Sequence, residues 1–417
     1  MRQVNGFNQK YTDMQKIIIK NFGPITNAEI DIKKFLVLIG DNAIGKSTII
    51  KLISSFSWIE KDLFRGSEKT KEWLEKENRL SYSFLPYHRI EDFLKSDSVI
   101  EFYGQAFVIK YNNKKISIGK RIDSDYRLPQ IMYVPAERNF ITYMRATKNF
   151  QSEGALQDFE REYFNAANNL KGSLSLPIRD FEIEYNKRHE MLYLKNKNHK
   201  IKITEAASGF QSSVPLILVS DYLSKLIQNN SEAMTSGDIR EFEKEIDKIL
   251  NDKNLTERQR QITISKISAL SKKFNKKAFI NIVEEPEQNL FPISQKKILE
   301  SLIAICNQTK DNKFLISTHS PYILTILNNL LFAQRVIDKN DGLRSEVSKI
   351  INEKTRIKSD DFSAYVLEET DNGSETKSLI DEATGMIGQN YLDTVSEILG
   401  YEFNTLYEIY AKTFQRQ

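Results

Sequence analysis

Nine residues, Gly40-Asp41-Asn42-Ala43-Ile44-Gly45-Lys46-Ser47-Thr48, carry the strongest chemical pattern in the chain. They match a glycine, four variable positions and then Gly-Lys-Ser/Thr. The stretch lies between a continuously apolar run, Phe35–Ile39, and a stretch with Ile49, Ile50, Leu52, Ile53 and Phe56 at helical spacing. Such a loop turns its backbone N–H groups inward around phosphate oxygens, so Asn42, Ala43 and Ile44 line the cradle between Gly40 and Gly45. The N-terminus of the following helix adds the positive end of its dipole, to which Thr48 belongs. Lys46 is placed to reach the outer phosphates, and the Ser47 hydroxyl to ligate Mg²⁺.

Three further clusters fit the same chemistry. Phe279-Ile280-Asn281-Ile282-Val283-Glu284-Glu285 is a buried-type strand ending in two carboxylates. Glu284 is the candidate metal carboxylate, and Glu285 the candidate base that orients an attacking water. Lys313–Ser317 is a second such strand, followed by Thr318 and then His319, which could contact a terminal phosphate. Ala207-Ser208-Gly209-Phe210-Gln211 opens a helix and is another N–H-rich anion site.

The elements that must position these groups read as follows. Ile17–Phe22 and Ala28–Ile32 are strands on either side of a Gly23-Pro24 turn. Residues 59–98 are charged, contain tryptophan and read as a helical insertion. Hairpins are expected at 107–118 around Asn112-Asn113 and at 191–203 around Asn196-Lys197-Asn198, with 181–185 joining the second. Residues 222–273 are helical in pattern and highly charged. The expected class is therefore α/β, a mixed β-sheet with flanking helices around a P-loop core.

Composition bounds the alternatives. The 417 residues include 60 Lys or Arg and 56 Asp or Glu, with 40% apolar residues, which excludes a chain disordered throughout. Sixteen glycines and nine prolines exclude collagen-like or linker-rich architectures. A single cysteine, Cys306, excludes an internal disulfide and a Cys-based metal site, and the four histidines form no zinc-spaced pair. No apolar run is long enough to span a membrane, and residues 1–5 lack a signal-peptide core, so a cytoplasmic protein is expected. A net charge of +4 decides nothing about nucleic acid, although Lys187, Arg188, Lys195, Lys197, Lys200 and Lys202 cluster within 16 residues. A second group is Lys272, Lys273, Lys276 and Lys277. Either could serve DNA or RNA, or simply be solvated.

Taken in order, these blocks resemble the head of ABC-type ATPases, and more narrowly their SMC-like and OLD-like branch. Ile18-Ile19-Lys20-Asn21-Phe22-Gly23-Pro24-Ile25 is similar to the start of that branch. Glu284-Glu285-Pro286-Glu287-Gln288-Asn289-Leu290-Phe291-Pro292 resembles its second acidic block, and Ser317-Thr318-His319-Ser320-Pro321 its histidine block. Tyr133-Val134-Pro135-Ala136-Glu137-Arg138 resembles the segment holding the glutamine loop, with Glu137 as a possible metal contact. The resemblance implies ATP and Mg²⁺ as cofactors and a homodimer with two ATP held head to tail between the copies. In that arrangement Ser208, Gly209 and Gln211 act in trans on the γ-phosphate, residues 286–290 pass between the two sites, and His319 is the switch histidine.

Three positions depart from the family pattern: Phe210 stands where the signature has glycine, Glu284 where the metal carboxylate is Asp, and Ala136 or Glu137 where the glutamine stands. Slow turnover is the expectation. The head is expected over 1–335, with helical insertions at about 59–98 and 222–275, and a short C-terminal α/β extension over 336–417. No sustained heptad supports a long coiled coil.

The 98 residues after His319 hold no Asp-x-Asp strand end and no HNH or zinc pattern, so no nuclease site of the chain's own is expected. The stand-alone ending resembles the ATPase subunit of Septu-type phage-defence systems, with those of PARIS and retron-linked systems close to it. That resemblance implies a switch that senses or scaffolds and controls a separate effector, a toxin or a nuclease of the HNH kind. A DNA-repair ATPase that clamps DNA directly is the alternative, and a transporter subunit a remoter one, because the insertions exceed a compact transporter head.

Overall fold

The computed structural model describes residues 14–66, 68–121, 125–144, 152–228, 276–388 and 391–414. Its centre is an eleven-stranded mixed sheet. Strands β1 (Lys16–Phe22) and β2 (Ile25–Asp31) form the first hairpin, and β3 (Phe35–Gly40) follows, buried along its length. Next come β4 (Leu94–Tyr103), β5 (Phe107–Asn112), β6 (Lys115–Lys120) and β7 (Pro129–Val134). A separate four-stranded antiparallel sheet holds β8 (Ser173–Ser175), β9 (Glu182–Asn186), β10 (Met191–Lys195) and β11 (Lys200–Lys202). The chain returns to the large sheet with β12 (Ala278–Glu284), β13 (Lys313–Thr318), β14 (Phe362–Thr370) and β15 (Gly373–Ser378).

The order across the large sheet is β6-β5-β4-β1-β2-β15-β14-β3-β13-β12-β7. Within it, β14, β3, β13, β12 and β7 run parallel to one another, and β14 pairs antiparallel with β15. A parallel sheet must be covered on both faces, which is why these strands read as unbroken apolar runs. Helix α1 (Lys46–Arg65) covers one face, packing Ile49, Leu52, Ile53 and Phe56 in one core with Leu36 and Leu38. The other face, with Phe35, Val37 and Ile39, shares its core with α2 (Gly154–Asn169), α3 (Ser208–Gln228), α4 (Pro292–Cys306) and α5 (Pro321–Lys339). A final helix, α6, spans Tyr391–Phe414. The α/β class, the mixed sheet with flanking helices and both expected hairpins are present.

Three expectations need correction or limiting. The first insertion does not start at 59, because α1 continues unbroken to Arg65. It does not reach 98 either, because β4 starts at Leu94 and pairs with β1. Short helices at Glu68–Leu74 and Arg79–Ser83 fill the interval. The boundary at residue 335 cuts across the sheet, since β14 lies directly against β3, with Phe362 opposite Phe35 and Leu367 opposite Gly40. Of the second insertion, residues 222–228 belong to α3 and 229–275 lie outside the described residues.

Candidate functional site

The candidate site lies at the carboxyl ends of β3, β13 and β12. The turn out of β3 places Ala43 in the left-handed region at φ 60° and Gly45 at φ 110°. Gly45 has a second reason to be glycine, since a Cβ there would lie 2.9 Å from Ile25. Lys46 starts α1, is buried, and donates from Nζ to the carbonyls of Gly40 at 2.8 Å and Asp41 at 2.5 Å. Its ammonium thus closes the loop on itself. Burial lowers its pKa to about 8, against the opposing pull of Glu285, Asp41 and Glu287. Asn42 and Ala43 are exposed, Ile44 and Ser47 half-buried and Thr48 buried.

The loop is braced by the end of the chain that was expected to be an extension. Ser374 donates from Oγ to the Ile44 carbonyl at 2.7 Å, and its N–H donates to the Pro24 carbonyl at 2.9 Å. The β14–β15 hairpin therefore ties the phosphate-type loop to the β1–β2 turn.

The two carboxylates at the end of β12 occupy different surroundings. Glu284 is buried and accepts a hydrogen bond from the Tyr133 hydroxyl, while Lys51 Nζ stands 3.9 Å away. Burial raises its pKa, and Glu137 adds to the rise. Lys51 follows Ser47 by four residues on α1, so the helix face that carries Ser47 also faces Glu284. Glu285 has left the strand conformation, with φ 45°. Its Oε1 lies 3.0 Å from His319 Nε2, and this hydrogen bond is the main cause holding its pKa below the ordinary carboxylate value. The pairing of β12 with β13, Glu284 opposite Ser317, brings the two residues together.

Two residues that shape the candidate site were not singled out from sequence. Arg138 is fully buried and donates to four carbonyls: Glu285 at 2.6 Å, Glu284 at 2.7 Å, Ser212 at 3.0 Å and Pro135 at 3.3 Å. It joins the segment after β7, the acidic strand end and the first turns of α3. Glu287 accepts from Thr318 Oγ1 at 2.7 Å and from the His319 N–H at 2.8 Å, which fixes the turn that carries His319. The available signal was an Arg beside Glu137 and a third acid two residues after Glu285.

The loop at the start of α3 is a separate cluster. Ser208 is exposed and Gly209 half-buried. A Cβ on Gly209 would stand 2.7 Å from the Asn289 carbonyl oxygen, so the segment after Glu285 packs directly on this glycine. Ser212 strengthens that contact by donating to the Gln288 carbonyl at 2.8 Å. Phe210 packs edge-on against Phe181 at 5.0 Å. Gln211 is buried, and its Nε2 donates to the Tyr143 hydroxyl at 2.6 Å and the Thr204 carbonyl at 3.1 Å. Its side chain holds this chain's own loop, leaving Ser208 as the exposed member.

The oxygen donors fit a small hard cation. Ser47, Glu284 and the exposed Glu137 offer side-chain oxygens, and Mg²⁺ is ordinarily held by one or two carboxylates together with substrate phosphates. Among the described residues no group of three or more His, Cys, Asp or Glu could hold a metal ion.

No family model matches the sequence, and no curated protein matches it. Among solved structures, the chain is similar to an SMC head bound to the C-terminal winged-helix domain of ScpA. The identity is 11%, the alignment covers 89% of this chain and 98% of that one, and the TM-score is 0.40. It is also similar to the SMC head domain from Thermotoga maritima, at 10% identity, 88% and 98% coverage and a TM-score of 0.35. A third is the Smc head domain from Pyrococcus furiosus with an extended coiled coil, bound to the C-terminal domain of ScpA, at 11%, 93%, 98% and 0.34.

The basic clusters do not assemble into a bare cationic face. Lys200 lies 3.1 Å and Lys195 4.0 Å from Glu184, and Lys202 lies 3.0 Å from Glu205. Lys187, Arg188 and Lys197 are exposed. Lys276 is buried and Lys277 exposed, whereas Lys272 and Lys273 lie outside the described residues. No described helix is long and apolar enough to cross a membrane.

Proposed function

We propose that the protein is an ABC-type ATPase of the SMC-like and OLD-like branch, working as a dimeric switch in an anti-phage system and controlling a separate effector. The observation that carries the ATPase reading is the Glu285–His319 pair at 3.0 Å beside a loop closed by Lys46, on neighbouring strand ends. Lys46 exchanges its two backbone carbonyls for phosphate oxygens, a replacement that restores the charge its burial disfavours. Glu285, kept ionised by its histidine partner, accepts a proton from an attacking water and orients it. Ser47 and Glu284, with Glu137 near, would hold Mg²⁺, which would supply charge neutralisation on the phosphates. Ser208 and Gly209 act on the nucleotide of a second copy.

The motif blocks support membership of that branch, and the defence role and the Septu-type ATPase subunit, with an HNH-type nuclease as the expected effector, rest on the resemblance of the residues after His319. Glu285→Gln is expected to keep ATP binding, to slow hydrolysis by roughly 100-fold or more and to accumulate an ATP-bound dimer. Hydrolysis at the wild-type rate refutes the assignment of Glu285. Lys46→Ala is expected to abolish tight nucleotide binding. Co-purification of the neighbouring gene product with and without ATP tests the effector, and binding of duplex DNA that falls steeply with salt would instead favour the DNA-clamping reading.

A further inference from the structure

Neither ring nitrogen of His88 has a hydrogen-bond partner among the described residues, although the residue is only 3% exposed. A buried polar group left unpaired is costly, and folded chains keep few of them. Burial and the nearby Lys51 ammonium lower its pKa to about 3. At neutral pH the ring is therefore uncharged and offers one N–H and one lone pair. Edge contacts with Tyr133 at 4.5 Å and Tyr87 at 4.7 Å fix its orientation.

The imidazole borders a cavity of about 240 Å³ between the turn Pro86–His88, the end of β7 and the start of α2. The interval between α1 and β4 thus supplies one wall. It is locked to α2, since a Cβ on Gly154 would stand 2.2 Å from the Tyr87 carbonyl oxygen. Three kinds of side chain join His88 there. Lys51 and Arg89 are cations, Tyr87 and Phe140 contribute rings, and Glu137 and Glu153 are exposed acids. Arg89 is held at φ 56°, a conformation that a residue of its type keeps only where its surroundings impose it. None of residues 40–48 lines the cavity.

We propose that this cavity is a second ligand site, separate from the P-loop, for a nucleoside monophosphate. Each kind of lining side chain has its counterpart in that class of molecule. The phosphate takes the cations, the planar base takes the rings and the unpaired imidazole, and the ribose hydroxyls donate to the acids. Inorganic phosphate would leave the rings and the acids without a use, and an uncharged ring compound would leave the cations without one. The volume lies near the lower end for small-molecule sites, which suits one nucleotide and not a dinucleotide. Lys51 also stands 3.9 Å from Glu284, so a phosphate in the cavity and the buried carboxylate share one ammonium.

The test is equilibrium dialysis of AMP, GMP, CMP and UMP against the full chain carrying Lys46→Ala, which removes the P-loop cation. At least one is expected to bind, one per chain, with a dissociation constant on the order of 10–100 µM. The matching nucleoside and inorganic phosphate should each bind at least ~10-fold more weakly. His88→Phe, added to that chain, keeps the ring and removes both nitrogens. It should weaken binding at least ~10-fold without lowering the melting temperature, since two unpaired buried groups are removed. Arg89→Asn puts at the left-handed position a residue that adopts it readily, and should weaken binding as much with an unchanged melting curve. No monophosphate bound below about 1 mM, or binding that neither variant changes, overturns the proposal. So does a nucleoside or phosphate that binds as tightly as the monophosphate. A monophosphate that binds the wild-type chain but not Lys46→Ala occupies the P-loop and overturns the second site. The Lys46→Ala background keeps the result apart from the ATPase reading, which can fail without moving it.

Discussion

Arg138→Lys separates the building of the acidic strand end from the binding of nucleotide. The guanidinium reaches four carbonyls belonging to Pro135, Ser212, Glu284 and Glu285. An ammonium at the same depth keeps the charge but cannot span that fork, so at least two charge-assisted hydrogen bonds are lost. At about 1.5 kcal/mol each, the loss is roughly 3 kcal/mol or more, a fall of roughly 3 °C in melting temperature for a chain of 417 residues. The catalytic effect is larger. Glu285 sits at φ 45°, a conformation that a non-glycine residue keeps only when its surroundings impose it. Its N–H is held by the Ser317 carbonyl at 2.9 Å, and its own carbonyl by Arg138 and by the Gln288 N–H at 3.0 Å. Releasing Arg138 lets the carboxylate drift, and a displacement near 1 Å lowers turnover about 100-fold. The Lys46 loop is untouched, so nucleotide affinity should stay within about threefold. Phosphate release and equilibrium binding, measured beside a melting curve, read all three quantities. A folded variant with near-wild-type turnover refutes the reasoning, as does an affinity that falls in step with the rate.

Three other perturbations follow from the same geometry. With Lys46 near pKa 8 in the free chain, nucleotide binding at pH 8 should take up close to half a proton and at pH 6.5 almost none; calorimetry in two buffers of different ionisation enthalpy checks it, and zero uptake at pH 8 contradicts it. Gly209→Ala forces a methyl against the Asn289 carbonyl, so about 1–3 kcal/mol of overpacking should displace the segment after Glu285, and hydrolysis should fall more than binding. Glu60 is buried, accepts the N–H groups of Ala106 at 2.7 Å and Phe107 at 3.1 Å, and has its pKa raised by burial to about 7. The folded state therefore holds a proton that the unfolded state has already lost between about pH 4.5 and 7, and stability falls as pH rises through that window, by up to about 3 kcal/mol. Glu60→Gln keeps the carbonyl acceptor and should flatten that slope; urea midpoints at pH 5 and 7.5 that move alike in both proteins would contradict it.

How far the fold could be read from sequence depended on whether the cause was local. Gly45, Lys46 and the apolar run of β3 lie within one turn of each other, so the loop and its flanking elements were legible as a unit. The parallel strands were legible because burial on two faces leaves an unmistakable apolar run. The end of α1 was not. Glu60 and Lys61 read as solvent-facing charges, yet both are buried, one against two backbone N–H groups and the other over the Trp58 ring at 4.2 Å. β14 was misplaced for the opposite reason: Tyr365-Val366-Leu367 reads as a strand, but its place in the middle of the sheet is a long-range pairing with β3. Arg138 was invisible as an organiser because its four acceptors come from three separate segments of the chain, and all are backbone atoms that no side-chain pattern records.

The two adjacent glutamates show why one strand end can hold two roles. A strand points successive side chains to opposite faces, so Glu284, still in β12, turns into the sheet's buried side beside Tyr133. Were Glu285 to continue the strand, it would point the other way at a fixed angle. Its turn to φ 45° instead brings its carboxylate to His319 on the neighbouring strand end. The consequence is electrostatic. Burial pushes Glu284 toward its neutral form, while the histidine holds Glu285 in its ionised form. A carboxylate disfavoured as a bare anion is suited to a cation that supplies the missing charge, and one kept ionised at neutral pH is suited to accept a proton. The longer Glu at position 284 fits the same logic, since the extra methylene over Asp lets the group reach Tyr133 across the strand pair β12–β7 while its backbone carbonyl stays on Arg138.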